Sequence, residues 1–314
     1  MNVLSLFDGM SCGQIALKKA KIKYNKYYAS EIDVNAIQIT QNHFPKTIQL
    51  GDISKIKGKN LPKIDLIIGG SPCQGFSFAG KQLNFEDERS KLFFEFIRII
   101  KECKPKYFLL ENVKMKKEYQ DIISNYLDAQ PIEINSNLLS AQNRKRLYWT
   151  NIKNVTQPKD KKVFLSKVLE KNIKEESFYL NENNILKNNI KKFLINKKFK
   201  EVMFTERRTE EAKRIRREHQ KKHGKDFSPR RAKELVPRTD KKSNCLTTSL
   251  TKEHIIIDNN NKFRKLTPLE CERLQTVPDN WTNIDGVSNT QKYKMLGNGW
   301  TVDIVAHILK NINK

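Results

Sequence analysis

Short apolar runs alternate with amphipathic segments over the first half of the chain. The runs predict buried strands, and apolar positions spaced by three and four predict helices between them. Such alternation is typical of a doubly wound α/β sheet, in which ligands bind at the carboxyl ends of the strands. The predicted strands are 3–7, 27–32, 50–53, 64–68 and 107–110, and the predicted helices are 14–20, 34–42 and 92–103.

The pattern changes after residue 157. Residues 158–200 have little periodicity, and 205–223 is charged almost all round, as expected of a solvated helix. We therefore expect a large domain built from 1–157 and 284–314, and a smaller, basic domain at 158–283.

Periodic order returns near the end of the chain. Thr267 is a candidate cap for a helix whose first position is Pro268. A last helix is predicted at about 301–309, after the segment Gly297-Asn298-Gly299-Trp300.

The charge of the chain favours a polyanionic partner. Sixty Lys and Arg against 35 Asp and Glu give a formal charge of +25, and nucleic acid is the first candidate. Lysine outnumbers arginine 46 to 14, which is typical of an A/T-rich genome, so the position of the charges matters more than their total. The segment 205–242 holds 15 Lys and Arg against 7 Asp and Glu, which makes it a candidate phosphate-contacting surface.

Two cellular environments are disfavoured by the sequence. It has no apolar run long enough to cross a membrane and no signal peptide, so we expect no membrane association and a cytoplasmic location. Five cysteines without a C-x-x-C pair argue against a disulfide framework and a structural zinc site, and no metal is expected.

One cysteine stands on a loop that suits a nucleophile. The apolar run 64–68 ends at Gly69-Gly70, and Pro72 directly precedes Cys73. The flanking Gly, Ser, Pro and Gln residues offer little apolar packing, while open backbone N–H groups favour a thiolate. An arbitrary cysteine is more often a small buried hydrophobe, but this setting favours a reactive thiol.

Polar residues follow three successive strands. The turn from Phe7 to Gly13 opens the first helix, Glu31 ends the second strand, and Asp52 follows the third. A carboxylate at the end of the second strand can accept both hydroxyls of a ribose. The turn lacks the Gly-x-Gly-x-x-Gly dinucleotide fingerprint, so an adenosine-type ligand such as S-adenosylmethionine fits better than a nicotinamide cofactor.

Two further groups follow the fifth strand. Glu111 leaves an apolar run, and partial desolvation would favour its protonated form, which can hydrogen-bond the edge of a base. Gln142, Arg144 and Arg146 alternate along a predicted strand, so we expect them to point together toward phosphate or nucleobase. The plainer interpretations are a helix-capping glutamate and an exposed basic strand.

Taken in order, these residues resemble the cytosine-C5 DNA methyltransferases, in a form similar to phage and bacterial relatives of the mammalian de novo enzymes. The matching motifs are Phe7 to Gly13, Glu31, Asp52, Gly70 to Gly75, Glu111 to Val113, Gln142 to Arg146, Arg264 to Gln275 and Gly297 to Gly299. Two departures are the reading Phe-Asp-Gly-Met-Ser-Cys-Gly in the first motif and Gly-Trp-Thr at the end of the last. The basic region 158–260 lies where the family keeps its target-recognition region.

The resemblance implies a Rossmann-like α/β sheet of the S-adenosylmethionine-dependent methyltransferase type, with a smaller target-recognition domain. It also implies a mechanism in which Cys73 adds to C6 of a flipped cytosine, and the product of the cofactor is S-adenosylhomocysteine. The implied catalytic residues are Cys73, Glu111, Arg144 and Arg146. The implied cofactor-binding residues are Phe7, Asp8, Gly9, Ser11, Cys12, Gly13, Glu31, Ile32, Asp52, Ile53, Pro72, Asn298, Gly299 and Trp300. The expected DNA-binding residues are Gln74, Ser77, Gln142, Arg207, Arg208, Arg214, Arg230 and Arg231.

The partner that the resemblance implies is double-stranded DNA, bound by a monomer; the sequence leaves open whether the enzyme has a cognate restriction endonuclease or acts alone as an orphan. Two other functions stay open. One is methylation of cytosine in tRNA, and the other is a catalytically silent DNA-binding regulator, against which the intact Cys73 argues.

Overall fold

The structure is a computed structural model. It describes residues 1–71, 88–181, 183, 190, 193, 200–225, 227, 233–249 and 254–313. Six residues with predicted roles lie outside this part of the chain: Pro72, Cys73, Gln74, Ser77, Arg230 and Arg231.

A seven-stranded sheet forms the larger part of the fold. Its strands stand in the order β3-β2-β1-β4-β5-β7-β6. The first five strands in the chain are parallel, and β7 runs antiparallel between β5 and β6. The strands are β1 (Asn2–Leu6), β2 (Lys26–Ser30), β3 (Ile48–Gln49), β4 (Leu66–Gly69), β5 (Tyr107–Val113), β6 (Ile132–Asn135) and β7 (Lys145–Thr150).

Helices cover both faces of this sheet, and their apolar stripes explain where they pack. In α3 (Glu88–Cys103), Phe93, Phe96 and Ile97 are buried, as their spacing predicts, and they join one of two cores that flank the sheet. The other core contains the inner faces of the first and last helices. The remaining helices of this part are α1 (Cys12–Lys19), α2 (Val34–His43) and α4 (Lys117–Leu127).

A second, antiparallel sheet of four strands has the order β11-β10-β8-β9. Its core is formed by Phe204, Leu235, Ile255, Ile257 and Phe263, with Ile190 beside them. A charged helix, α5 (Glu210–His223), is inserted between two strands that pair with each other. The strands are β8 (Val202–Arg208), β9 (Lys233–Pro237), β10 (Ile255–Ile257) and β11 (Phe263–Lys265).

The helix α6 (Pro268–Leu274) connects the two sheets. Thr267 and Glu270 form a capping box at its start, which confirms the predicted cap. The buried Arg264 of β11 binds Glu270 through two hydrogen bonds of 2.7 and 2.8 Å. Beyond α6, Trp281 stacks on His43 of α2, with ring centroids 3.6 Å apart. The division into domains at 283/284 stays a prediction, and these contacts join the last part of the small region to the large sheet.

Two short helices complete the chain, α7 (Asn289–Asn298) and α8 (Val302–Leu309). The latter packs against α1 and agrees with the predicted last helix. The strand predicted at 50–53 lies instead at Ile48–Gln49, and residues 53–55 form a 3-10 turn because Asp52 caps it. No helix among the described residues has the length and apolar character needed to span a bilayer.

Candidate active site

The site lies where the strand order reverses. The chain moves from β1 outward to β2 and β3, and then returns to pair β4 on the other side of β1. The carboxyl ends of β1 and β4 therefore border the crevice in which doubly wound sheets bind ligands. The loops that start at Phe7 and Gly70 leave these two strand ends.

The loop after β1 is shaped by Glu31. The N–H of Gly9 donates to Glu31 Oε2 at 2.7 Å, and Oε1 accepts from the N–H groups of Ile32 and Asp33 at 2.8 and 2.9 Å. Gly9 has φ +58°, and no atom lies within 4 Å of the position that a Cβ would take there. The carboxylate is thus fixed in place, with open space beside the backbone of Gly9.

An apolar surface adjoins this carboxylate. The side chain of Ile32 is 72% exposed and that of Val34 75% exposed, which is high for such residues. Asp52 follows β3, and one of its oxygens accepts from Ser54 N–H at 2.9 Å. That hydrogen bond lowers the pKa of Asp52, so the side chain remains an ionised acceptor. Ionised acceptors next to exposed apolar side chains fit an adenosine moiety, whose ring is flat and whose edge donates hydrogen bonds.

Other predicted cofactor residues are covered by protein. Gly13 is buried where the first helix meets the sheet. A Cβ at this position would lie 2.5 Å from Ile68 Cδ1 and from the Tyr27 hydroxyl, so this glycine serves helix-to-strand packing. The approach of the Gly13 backbone to a ligand stays a prediction. The side chains that are likewise buried are those of Asp8, Ser11, Cys12, Ile53 and Trp300. Phe7 and Gly299 are partly exposed and Asn298 is exposed, so these three stay accessible to a ligand.

Burial has different consequences for two of these side chains. It raises the pKa of the Cys12 thiol to about 12, so this thiol stays protonated and inert. It also raises the pKa of Asp8 to about 6, although hydrogen bonds from Ser5 and Tyr27 act in the opposite direction. The Tyr27 hydroxyl donates to Asp8 Oδ1 at 2.8 Å, and Oδ2 has no hydrogen-bond partner.

An ion pair stands at the end of β5. Arg146 Nε lies 2.9 Å from Glu111 Oε1, and the two side chains are only 13% and 11% exposed. They meet because the antiparallel pairing of β5 with β7 sets Glu111 opposite Tyr148 and Val113 opposite Arg146. The pairing confirms that strand five neighbours the strand leading to Cys73, since β4 pairs with β5.

The chain leaving β4 is anchored to the same place. The side-chain amide of Asn112 donates to Ser71 Oγ at 3.1 Å. A Cβ on Gly70 would lie 3.0 Å from Trp300 Nε1 and 3.1 Å from Glu111 Oε2, so only glycine passes here without displacing its neighbours. Ser71 is the last described residue before Cys73, and only Pro72 separates the two in the sequence.

Arg144, predicted to be catalytic, and Gln142, predicted to bind DNA, instead contact other parts of the protein. Arg144 is 2% exposed and donates to the carbonyls of Leu246, Gly297 and Gly299 at 3.1, 3.0 and 2.9 Å. Gln142 is fully buried, and its Oε1 accepts from the N–H of Leu246 at 2.8 Å. The expectation of an open basic face is wrong for both, because other segments cover them.

Sequence patterns did not single out Cys245. Its Sγ lies 3.3 Å from Arg144 Nη1 and 3.8 Å from Arg146 Nη2. Arg144 and Cys245 are 101 positions apart in the chain, so no local motif could have indicated the contact.

A basic cleft of about 580 Å³ lies between β8 and α5. Its lining residues are Arg207, Arg208, Glu210, Lys213, Arg216, Arg217 and Gln220. Arg214, predicted to contact DNA, points elsewhere and forms ion pairs with Glu211 and Glu218 at 2.7 and 2.8 Å. These pairs replace the Glu210 to Arg214 pair that helical spacing suggests, since Glu210 binds Lys213.

Comparison with known proteins agrees with this arrangement. The model of the C-5 cytosine-specific DNA methylase family matches residues 1–314. The type II methyltransferase M1.ScrFI of Lactococcus lactis subsp. cremoris is 33% identical over 99% of this chain and 77% of its own length. M.Bsp6I of Bacillus sp. (strain RFL6) is 26% identical over 100% of this chain and 99% of its own.

A solved structure shares the fold. The Entamoeba histolytica methyltransferase EhMeth superposes with a TM-score of 0.72 and 20% identity, covering 99% of this chain and 97% of that one. Methyltransferases of this fold use S-adenosylmethionine, and the open carboxylate-lined crevice fits an adenosine moiety. With the family match over its whole length, the chain belongs to the C-5 cytosine-specific DNA methylase family.

Proposed function

We propose that the enzyme methylates C5 of cytosine in duplex DNA through a covalent bond between Cys73 and C6 of the base. The observation that carries the proposal is the buried pair of Glu111 and Arg146 at the end of β5. Ser71 lies two residues before Cys73, and its Oγ accepts a hydrogen bond from the side-chain amide of Asn112, the residue after Glu111. The nucleophile loop therefore starts beside the two groups that we propose to hold the base.

The chemistry requires a nucleophile. C5 of cytosine is too weak a nucleophile to attack a methyl sulfonium, so a thiolate adds first to C6 and makes C5 electron-rich. When bound, S-adenosylmethionine supplies the methyl group. A base then removes the C5 proton, the C6–S bond breaks, and Cys73 is released as a thiolate.

Glu111 holds the base during this addition. One of its oxygens is bound to Arg146, and the other faces Gly70 and Trp300, where the chain leaves β4. That second oxygen is placed to accept from the exocyclic amine of cytosine and to share a proton with N3, so that N3 is protonated as the thiolate adds. Contacts that strengthen as negative charge moves onto the ring stabilise the transition state. Arg146 positions O2 or a phosphate, and Arg144 acts by holding the segments at 246 and 297–299.

The cofactor would lie against the loop after β1. Glu31 would accept the ribose hydroxyls, Asp52 the adenine amine, and the exposed face of Ile32 would pack on the ring. Gly9 leaves room for this approach because no atom lies near its Cβ position. Binding can be measured directly by calorimetry on the protein without DNA.

DNA would lie along the basic cleft. Arg207 and Arg217 are exposed there, and the cleft holds five cationic side chains against Glu210. Extruding the target base costs about a few kcal/mol, which phosphate contacts can offset. The enzyme would act as a monomer on DNA, and a cognate endonuclease would cleave sites that it leaves unmethylated.

Cys73→Ala tests the proposal. Purified wild type should transfer a labelled methyl group to duplex DNA, and the variant should lose transfer while still binding cofactor and DNA. Transfer by the variant would overturn the role of Cys73. Transfer to tRNA in preference to DNA would favour the RNA alternative, and binding without any transfer by the wild type would favour a silent regulator. Bisulfite sequencing of host DNA then gives the recognised site.

A further inference from the structure

Cys245 stands between the two arginines near the candidate site, although it belongs to the other sheet region of the chain. We propose that Cys245 is a positioning residue for methyl transfer, because its sulfur contacts the guanidinium of Arg146 and holds it in the orientation that Glu111 requires. The inference rests on the proposed function of Glu111 and Arg146.

The guanidinium of Arg146 is held on three sides. Its Nε binds Glu111 Oε1 at 2.9 Å, Nη1 donates to the Lys145 carbonyl at 2.9 Å, and Nη2 donates to Cys245 Sγ at 3.8 Å. The first two contacts come from β5 and from the backbone of β7. Cys245 supplies the third contact, from a position 99 residues along the chain.

The surroundings of Cys245 favour its charged form. Burial alone would raise the pKa of this thiol, but the guanidiniums of Arg144 and Arg146 outweigh burial and lower the pKa below its ordinary value. Other groups near these arginines are Glu111, which is bound to Arg146, and the buried hydroxyl of Tyr148, whose pKa burial raises strongly. His254 contacts the Cys245 carbonyl at 3.1 Å, and burial lowers its pKa, so this imidazole is neutral.

Charge balance explains why a thiolate matters. Two buried guanidiniums and one carboxylate leave an excess positive charge, and like charges at short range repel. A thiolate between Arg144 and Arg146 removes this repulsion. Arg144 is also fixed by three backbone carbonyls, so loss of Cys245 should displace Arg146 rather than Arg144.

Alkylation measures the charge of the thiol without relying on activity. The protein carrying Cys73→Ala is treated with iodoacetamide over a range of pH, and each cysteine peptide is quantified by mass spectrometry. Cys245 should react with a midpoint below that of Cys103, whose pKa burial raises. Adding Arg146→Lys should move the Cys245 midpoint upward and leave the Cys103 midpoint unchanged. A Cys245 midpoint equal to or above that of Cys103 would overturn the proposal.

Kinetics measure the positioning. Cys245→Ala should lower kcat about tenfold, since small misplacements of a substrate-positioning group slow the reaction, with KM for DNA within about twofold. Cys245→Ser keeps an acceptor for Arg146 and should recover part of this loss, while Cys103→Ala should behave as wild type. Unchanged kcat in Cys245→Ala, or a Ser variant no better than Ala, would contradict the proposal. If wild type transfers no methyl group, the proposed function fails, and the alkylation midpoints still decide whether the thiol is ionised.

Discussion

Two regions that carry arginine side chains are built in opposite ways. Around β5 and β7, Arg144 is buried and the side chain of Arg146 is only 13% exposed. Contacts with other residues hold both guanidinium groups in place. On α5, Arg214 and Lys213 are exposed, and their pairs are local contacts three or four residues apart on one helix. Buried pairs lose much when one partner is removed, whereas exposed pairs contribute little. The region around β5 and β7 therefore suits catalysis, and the surface of α5 suits adjustable contact with the phosphate backbone of DNA.

Glu111→Gln should give the largest effect on the reaction. The change keeps the shape but removes the carboxyl that pairs with Arg146 and can share a proton with N3 of the base, so kcat should fall about 10²- to 10³-fold. Duplex affinity should stay within about twofold, as measured by fluorescence anisotropy. Glu133→Gln is the matched control, since Glu133 forms exposed ion pairs on the neighbouring β6 and should leave kcat unchanged. If Glu111→Gln mainly weakened duplex affinity and left kcat largely unchanged, the buried region around β5 and β7 would also bind the phosphate backbone of DNA.

Arg144→Ala should destabilise the fold rather than alter DNA contact. It removes the Arg144 donor from the carbonyls of Leu246, Gly297 and Gly299, of which Gly299 also accepts from Gln275 Nε2, and each buried carbonyl left unsatisfied costs about 1–3 kcal/mol. We expect a loss of about 3 kcal/mol or more in urea unfolding. Lys145→Ala, at the exposed neighbouring position, should change the free energy of unfolding by less than about 0.5 kcal/mol. Stability close to wild type in Arg144→Ala would show that the structural role is wrong.

Arg144 and Arg146 also show how far the sequence can predict the site. Alternation predicted that Gln142, Arg144 and Arg146 share a side of the chain, but it could not tell whether that side is covered. The covering groups lie 102 to 155 positions away from Arg144, so no local pattern contains them. Only packing of distant segments decides such burial.

Local signals were sufficient elsewhere. Thr267 and Pro268 predicted the start of α6 because capping depends on adjacent residues. The order of strand ends predicted that Glu31 and Asp52 follow neighbouring strands. The sequence predicts the third strand at 50–53 instead of Ile48–Gln49, because a strand of two residues has little pattern to read.

The pH dependence of stability, compared between wild type and Asp8→Asn, tests whether burial in the loop after β1 raises the pKa of Asp8. The folded pKa of about 6 lies above the ordinary 3.8, so the folded state favours the protonated form. The contribution of Asp8 to stability is thus fully present below pH 3.8 and is lost as pH rises to about 6. Between these limits the stability of wild type relative to the variant should fall by about 3 kcal/mol, as measured by urea unfolding at each pH.

Asp52→Asn is the control for this titration. Hydrogen bonds from Ser54 lower the pKa of Asp52, so its contribution is present above its ordinary pKa and is lost as pH falls. The trend with pH should therefore have the opposite sign and be small, because Asp52 is only partly buried. A pH-independent difference between wild type and Asp8→Asn would show that Asp8 is not titrating in this range.

Substitutions in the basic cleft should give the smallest effects, and salt should govern them. Arg207→Ala and Arg217→Ala should each weaken duplex binding about two- to fivefold at low salt and reduce the slope of log K against log salt by about 0.9. Arg214→Ala should change the slope less, because Glu211 and Glu218 already neutralise this side chain. Equal effects at all three positions would mean that α5 contributes only through its overall charge.

The central claim is that Cys73 attacks the base while Glu111 and Arg146 hold it. A duplex carrying 5-fluorocytosine at the methylated position tests this directly, because fluorine cannot leave as a cation and the C6–S bond then persists. We predict a denaturation-resistant complex that forms with wild type in the presence of S-adenosylmethionine, maps to the Cys73 peptide, and is absent in Cys73→Ala. A wild type that methylates ordinary cytosine but forms no such complex, or a complex that maps to Cys245, would contradict the claim.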